Sequence, residues 1–403
     1  MLDLLKLTVI LALTVLLLMR KWELGLVLLL DSVVAAVLFA YPPVAMVLSA
    51  FQGLIANETL KLVGAVFLVL VLAELLHRTH SMVKMVSSLQ VVVSDSRVVL
   101  ALIPALIGLM PMLGGAMFSA PMVDGIGTQL KVSPDRKTFV NYWFRHAMEY
   151  VWPLYSSLLM VAALLEVSPA TFIGAAYPLS LAAIIGGVLW GLLGIPRQDL
   201  GQNGQTKRTA WRELFVSTWP LSLVILLVVV LQLNMLVSLC GVILLVLLVK
   251  RIGPWQWLDV LKHSVPLRTF SAILGVMIFK RVVEDAGAVQ TIPAAMSGLG
   301  LPPLLITFLV PLVTGLLTGA PPAAMALGVP LVAPLMDTLA IDRVAGGVWM
   351  FAGSFSGVLL SPLHLCLALT RDYFGASWGR LYRAIVPAVA LVIAVALGVV
   401  LLR

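Results

Sequence analysis

The chain has 403 residues, 61% of them hydrophobic and only 11% charged, with a net charge of +8. That composition excludes a soluble globular protein. Recurrent apolar runs of about 20 residues exclude a β-barrel, whose strands are short and alternating, and the positive balance reads as cytoplasmic loop Lys and Arg rather than a nucleic-acid surface.

The first run, near 2–19, carries Asp3 and Lys6 at its start and no small-residue cleavage site after it. It is expected to be a retained helix rather than a signal peptide. Further spans are expected near 25–50, 59–77, 138–165, 168–195, 213–232, 234–250, 266–283, 344–370 and 384–402, about ten crossings in all. Asp31 and Glu74 fall in early spans and are expected to serve structure or the interface. HSMVKMVSSLQVVVSDSR, residues 80 to 97, is amphipathic and expected to lie on the cytoplasmic surface. Cys240 and Cys366 fall in apolar runs, so neither a disulfide framework nor a metal cluster is expected.

Two apolar stretches, near 98–130 and 302–337, hold too much Gly and Pro for plain helices. Both are expected to be re-entrant hairpins, because irregular backbone at membrane depth survives only inside protein or beside a watery cavity. GLMPMLGGAMFSAPMVD (108–124) and GLLTGAPPAAMALGVPLVAPLMD (315–337) open and close alike. The span after each holds a Pro-Leu pair near its middle, at Pro153 and Pro362. A proline there removes a backbone hydrogen bond and kinks or breaks the helix.

The fold class expected is therefore an all-α polytopic membrane protein of two inverted-topology repeats, with two re-entrant hairpins. Residues 1–195 hold the hairpin 98–130 and the broken helix 138–165; residues 196–212 form a cytoplasmic linker. Residues 213–403 hold the hairpin 302–337 and the broken helix 344–370. Five crossings per half invert the second half. With both termini extracellular or periplasmic, only Lys6, Lys61, Lys280, Arg281, Arg343 and Arg403 fall outside, leaving 20 of the 26 Lys and Arg inside.

Inverted repeats with broken helices are the signature of secondary transporters, whose sites lie where half-helices end. Half-helix N-termini attract anions and free carbonyls attract cations. The layout, and above all GLMPMLGGAMFSAPMVD followed by RHAMEYVWPLY, resembles the ion-transporter superfamily of gluconate, lactate, citrate and dicarboxylate permeases. It is closest to an uncharacterised prokaryotic integral-membrane family within it. The resemblance implies an elevator-type motion, a homodimer and a cell inner membrane. The asparagine-threonine tip signature of the sodium-dicarboxylate branch is absent here.

Substrate- or ion-binding candidates at the first tip are Gly114, Gly115, Ser119 and Pro121. At the second they are Thr314, Thr318, Gly319 and Pro321. Arg145, His146, Glu149 and Pro153 lie on the first broken helix. Arg145 could hold a carboxylate in bidentate geometry, and the His146–Glu149 pair could carry a coupling proton. Ser354, Ser356, Ser361 and His364 lie on the second, where hydroxyls beside a break suit an oxyanion or sodium. Asn141 is expected at the interface. Asp124 and Asp337 are expected as caps or surface ion pairs, and Lys280, Arg281, Glu284 and Asp285 as a surface charge network.

The function expected is secondary active transport of a small organic anion, coupled to protons or sodium. A cation/proton antiporter on the same scaffold is the alternative. No HExxH, GxSxG or GxxxxGK[ST] motif occurs, so neither an enzyme nor an ATP-driven pump is expected, nor any cofactor or metal. The partners expected are the anion, its coupling ion and the lipid bilayer, with no nucleic acid.

Overall fold

The computed structural model describes residues 2–110, 115–198, 206–288, 302–338 and 341–402. Among them the regular structure is helical. Five segments are long and apolar enough to cross a membrane: Asn57–Arg78, Pro169–Leu192, Lys207–Val230, Arg343–Phe374 and Trp378–Leu401. That is compatible with a polytopic membrane protein.

The chain begins with α1 (Leu2–Met19), α2 (Leu24–Leu38), α3 (Pro43–Ile55), α4 (Asn57–Arg78) and the short α5 (Ser81–Val92). The first hairpin is α6 (Ser96–Gly108) and α7 (Gly115–Gln129). The broken helix after it is α8 (Pro134–His146) and α9 (Ser156–Leu164), followed by α10 (Pro169–Leu192). Then come α11 (Lys207–Val230), α12 (Met235–Lys250), α13 (Pro254–His263) and α14 (Leu267–Asp285). The second hairpin is α15 (Pro303–Thr318) and α16 (Pro321–Thr338). It leads into α17 (Arg343–Leu360), α18 (Leu365–Phe374) and the closing α19 (Trp378–Leu401).

The run 25–50, expected as one crossing, is two helices. Pro42 and Pro43 cannot donate to a continuing ladder, and Ala40 takes a left-handed φ of 54°. The chain reverses there. Gly25 lies against Ser271 and Ala36 against Ile278 and Val282, so α2 runs parallel to α14. Ser49 bonds Asp285 and Gly53 lies against Met277, so α3 runs back along the same helix. In the second half α13 packs on α4, and its Asp259 and His263 both engage Arg78.

Each hairpin's first arm packs on the first arm of the broken helix that follows it: α6 on α8, α15 on α17. Each second arm packs across the halves: α7 on α18, α16 on α9. Glycines set these distances. A Cβ at Gly108 would stand 2.2 Å from the Arg145 carbonyl, and one at Gly315 would stand 2.1 Å from the Ser354 carbonyl. Small residues let helix backbones approach where no hydrophobic force drives association in lipid.

Asp95 caps α6, accepting from the Arg97 backbone N–H at 3.0 Å. The Arg97 side chain also bonds it and holds its carboxyl below the ordinary range. A depressed carboxyl stabilises above its unfolded pKa and loses that contribution as pH falls through the folded value. Asp95→Ala is therefore expected to lower stability by about 1 kcal/mol at neutral pH. Thermal unfolding at acidic pH should show the two proteins converging.

The amphipathic segment 80–97 contributes α5, which buries Met82, Met85, Val86 and Leu89 and packs on α11. Asp31 is fully buried and accepts from Thr14 at 2.6 Å, and Glu74 pairs with Arg78 at 2.5 Å. Lys280 pairs with Glu166 at 3.1 Å and Arg281 with Asp285 at 2.8 Å, as a charge network.

Candidate functional site

The first broken helix stops at His146, and residues 147–155 form turns around Pro153 before α9 starts. The second stops at Leu360, and Ser361 to His364 separate it from α18, with Pro362 between them. Each break frees backbone carbonyls that buried structure must satisfy. Side chains from the breaks do the same for the adjoining hairpin arms. Tyr155 donates its hydroxyl to the Gly108 carbonyl, and Trp152 donates its indole N–H to Leu109 at 2.7 Å. At the second break Ser361 donates to the Leu316 carbonyl at 2.6 Å and His364 Nδ1 reaches the Gly319 carbonyl at 2.6 Å. Two different sequences thus tie each hairpin end to its neighbouring break.

Gly319 is where this close approach requires glycine. Its φ is +60°, and a Cβ there would stand 2.7 Å from the His364 backbone nitrogen. The turn of the second hairpin therefore lies against the second break.

The two breaks meet. His146 Nε2 and His364 Nε2 are 3.1 Å apart, although the residues are 218 positions apart in sequence. Tyr142 donates its hydroxyl to the Leu359 carbonyl at 3.1 Å, and its ring lies 4.8 Å from that of His146. Phe355 covers His146 at a ring separation of 6.3 Å, and Tyr150 stands edge-on to Phe355 at 5.0 Å. Glu149 Oε1 lies 3.7 Å from both Arg145 Nη1 and His146 Nε2. All of these side chains are buried.

Beside this point Glu149 Oε2 and Tyr150 OH, and elsewhere on the same two broken helices Asn141 Oδ1, Ser354 Oγ and Ser356 Oγ, are buried without a hydrogen-bond partner among the described residues. Unsatisfied buried polar atoms are rare and costly, and they mark places where a ligand or water is accommodated.

His146, His364 and Cys366 each offer one ligand atom, a ring nitrogen or the thiol sulfur, and these atoms lie within 4.8 Å of one another. Ligand atoms of a tetrahedral zinc site stand about 3.5 Å apart. The two Nε2 atoms stand at hydrogen-bond length from each other.

Of the expected site residues, Arg145, His146, Glu149 and His364 gather at the meeting of the breaks, and Ser354 and Ser356 are buried on α17 on either side of Phe355 in sequence. Pro153 lies within the first break and Ser361 ties the second to its hairpin. The hairpin hydroxyls are engaged locally. Ser119 donates to Ala116 at 3.1 Å and Thr314 to Pro311 at 2.8 Å, while Thr318 contacts Ala320 at 3.4 Å. Gly115 opens α7, Pro121 lies inside it, and Pro321 opens α16. Gly114 and the Asp337 side chain lie outside the described residues.

Asn141 is fully buried and donates to the Ala116 carbonyl at 2.8 Å, tying the start of α7 to α8. Asp124 is paired with Lys137 at 2.7 Å, away from the tip. Sequence reasoning missed Tyr142, Tyr150, Tyr155, Trp152 and Cys366. The clustering of three aromatics in EYVWPLY just at a helix break was the available signal, since Tyr and Trp carry donors that a broken helix needs.

Two clefts open at opposite ends of α4. One of ≈ 440 Å³ is walled by Glu58, Lys61, Glu166 and Asn234, none of which belongs to the histidine cluster. The other, of ≈ 250 Å³, is walled by Glu74, His77 and His263 and reaches Met110, at the end of the first hairpin's first arm.

Tyr155→Phe removes only the hydroxyl that satisfies Gly108. The buried carbonyl is left without its partner, so a loss of about 1–3 kcal/mol is expected in thermal or denaturant unfolding.

Helices long and apolar enough to cross a membrane, built around a buried polar cluster where two interrupted helices meet, define an all-helical protein compatible with a polytopic membrane protein. Residues 2–403 match the family described as Protein of unknown function (DUF401), and the chain belongs to it. No curated protein matches the chain.

Proposed function

We propose that the protein is a secondary active transporter of a small organic anion, a carboxylate by class, coupled to protons or sodium. The observation that carries this is the meeting of the two helix breaks and the second hairpin turn at one buried polar cluster. Such a junction is what discontinuous helices form in carriers, where their ends replace the solvation of a solute. Arg145, beside Glu149, supplies a guanidinium suited to a carboxylate. Tyr150, Ser354 and Ser356 supply hydroxyls with hydrogen-bonding capacity to spare.

The repeated contact pattern supports two inverted repeats: α6 on α8 and α15 on α17, α7 on α18 and α16 on α9, α4 on α12 and α2 on α14. In that arrangement the repeats make about ten crossings with both termini outside the cytoplasm. The hairpins are re-entrant, and the protein resides in the cell inner membrane as a homodimer working by an elevator-type motion. The cation/proton antiporter remains the second reading, favoured by the Glu149 carboxylate 3.7 Å from His146.

Thermal unfolding of the purified protein against a panel of small carboxylates, each with sodium and at two pH values, tests the proposal. A ligand at 100 times its Kd stabilises by about 2.7 kcal/mol. Stabilisation by a carboxylate, lost in Arg145→Met, is the expected outcome. Shifts with sodium or pH but with no carboxylate would favour the antiporter.

A further inference from the structure

The two histidines at the junction are oriented in the same unusual way. His146 Nδ1 lies 2.6 Å from the Tyr142 carbonyl oxygen, and His364 Nδ1 lies 2.6 Å from the Gly319 carbonyl oxygen. A backbone carbonyl can only accept, so each Nδ1 must carry a hydrogen. In two neutral imidazoles of that tautomer, each Nε2 is then a bare lone pair. Those lone pairs face each other at 3.1 Å. Two acceptors do not hold that distance; one donor and one acceptor do.

We propose that His146 and His364 share one proton between their Nε2 atoms, and that this proton is the coupling ion of the carrier. The coupling half rests on the anion-carrier reading; the shared proton rests on the geometry alone. The added proton makes the pair an imidazolium–imidazole couple with a single N–H···N bond. No other bond forms or breaks.

The groups facing the pair fit that charge state. From α8 come Arg145 and the Tyr142 ring, and from the first break come Glu149 and, behind Phe355, Tyr150. The second broken helix contributes Phe355 and Cys366, and the second hairpin contributes the Gly319 carbonyl. As an ion pair, Arg145 and Glu149 cancel. The shared proton then leaves one unbalanced positive charge in a buried site, the complement of one carboxylate. Protonation and anion binding each favour the other, by reciprocal linkage. One proton should therefore accompany each monocarboxylate, without net charge movement.

The pair also joins the two halves of the chain. His146 belongs to the first broken helix. His364 belongs to the second and is tied to the hairpin turn at Gly319. Displacing that turn draws His364 away from His146, and the proton then leaves through whichever imidazole meets water.

The test uses the full-length protein in liposomes with 15N-labelled histidine. The chain has five histidines, the others being His77, His80 and His263. Solid-state NMR should show two histidines protonated at Nδ1 and coupled Nε2 to Nε2 across a hydrogen bond. The coupling should vanish in His146→Gln and in His364→Gln and persist in His77→Gln. Because the coupling is read in the wild-type protein, poor folding of a variant does not spare the proposal. Two neutral, uncoupled histidines throughout the pH range would overturn it. So would a stoichiometric transition metal, found by elemental analysis, whose chelation alters both ring signals. A pH gradient imposed on the same liposomes then separates the two proposals. A shared proton with no carboxylate uptake removes the carrier reading and its coupling step. Carboxylate uptake without a shared proton removes this inference and leaves the carrier.

Discussion

Gly357→Ala should destabilise the protein by about 3 kcal/mol or more, a size reserved for overpacking that backbone cannot evade. A Cβ at Gly357 would stand 2.0 Å from the Leu312 carbonyl and 2.8 Å from the Leu316 nitrogen. Both are backbone atoms of α15, and Gly353 and Gly315 close the same interface. Parting α15 from α17 would also strain the bonds from Ser361 to Leu316 and from His364 to Gly319, so the damage should reach the junction. Gly241→Ala is the control. It lies in the interior of α12 with nothing within 4 Å of an added Cβ, and should gain up to about 1 kcal/mol from helix propensity. Thermal unfolding of the two variants side by side checks both directions.

Glu149→Ala should cost a further large amount, about 3–5 kcal/mol, because it leaves the buried Arg145 without its carboxylate. Arg145 and Glu149 are 4% and 3% exposed, so water cannot replace the lost partner. Arg145→Met in the Glu149→Ala background should recover part of the loss, since replacing both members of a buried pair is far cheaper than removing one. A double-mutant cycle in unfolding free energy reads the coupling. Strictly additive losses would mean that the two side chains do not interact.

The interruptions of the helices near Pro153, Pro362 and Gly319 were legible in the sequence because proline and glycine act locally. Pro153 and Pro362 remove particular backbone donors, and Gly319 takes a conformation that other residues resist. The reversal at Ala40 was marked by Tyr41-Pro42-Pro43, yet unbroken apolarity on both sides made it read as one span, since hydropathy does not record direction. Asn141 lies near a helix start, and only tertiary contact with α7 explains its burial. Ser119 and Thr314 were attractive as ligands because they sit near hairpin turns. In helices such hydroxyls commonly bond back to their own turn, and these two do. The pairing of His146 with His364 left no local trace at all. It depends on how two distant halves pack, and the sequence of either half alone says nothing of the other's depth.

Uptake of radiolabelled small carboxylates into liposomes holding the full-length protein tests the central claim most directly. Accumulation should depend on an imposed proton or sodium gradient. It should be lost in Arg145→Met and retained in Gly241→Ala. Empty liposomes and protein-bearing liposomes taking up the carboxylates equally, while the protein exchanges sodium or another cation for protons, would contradict the anion carrier.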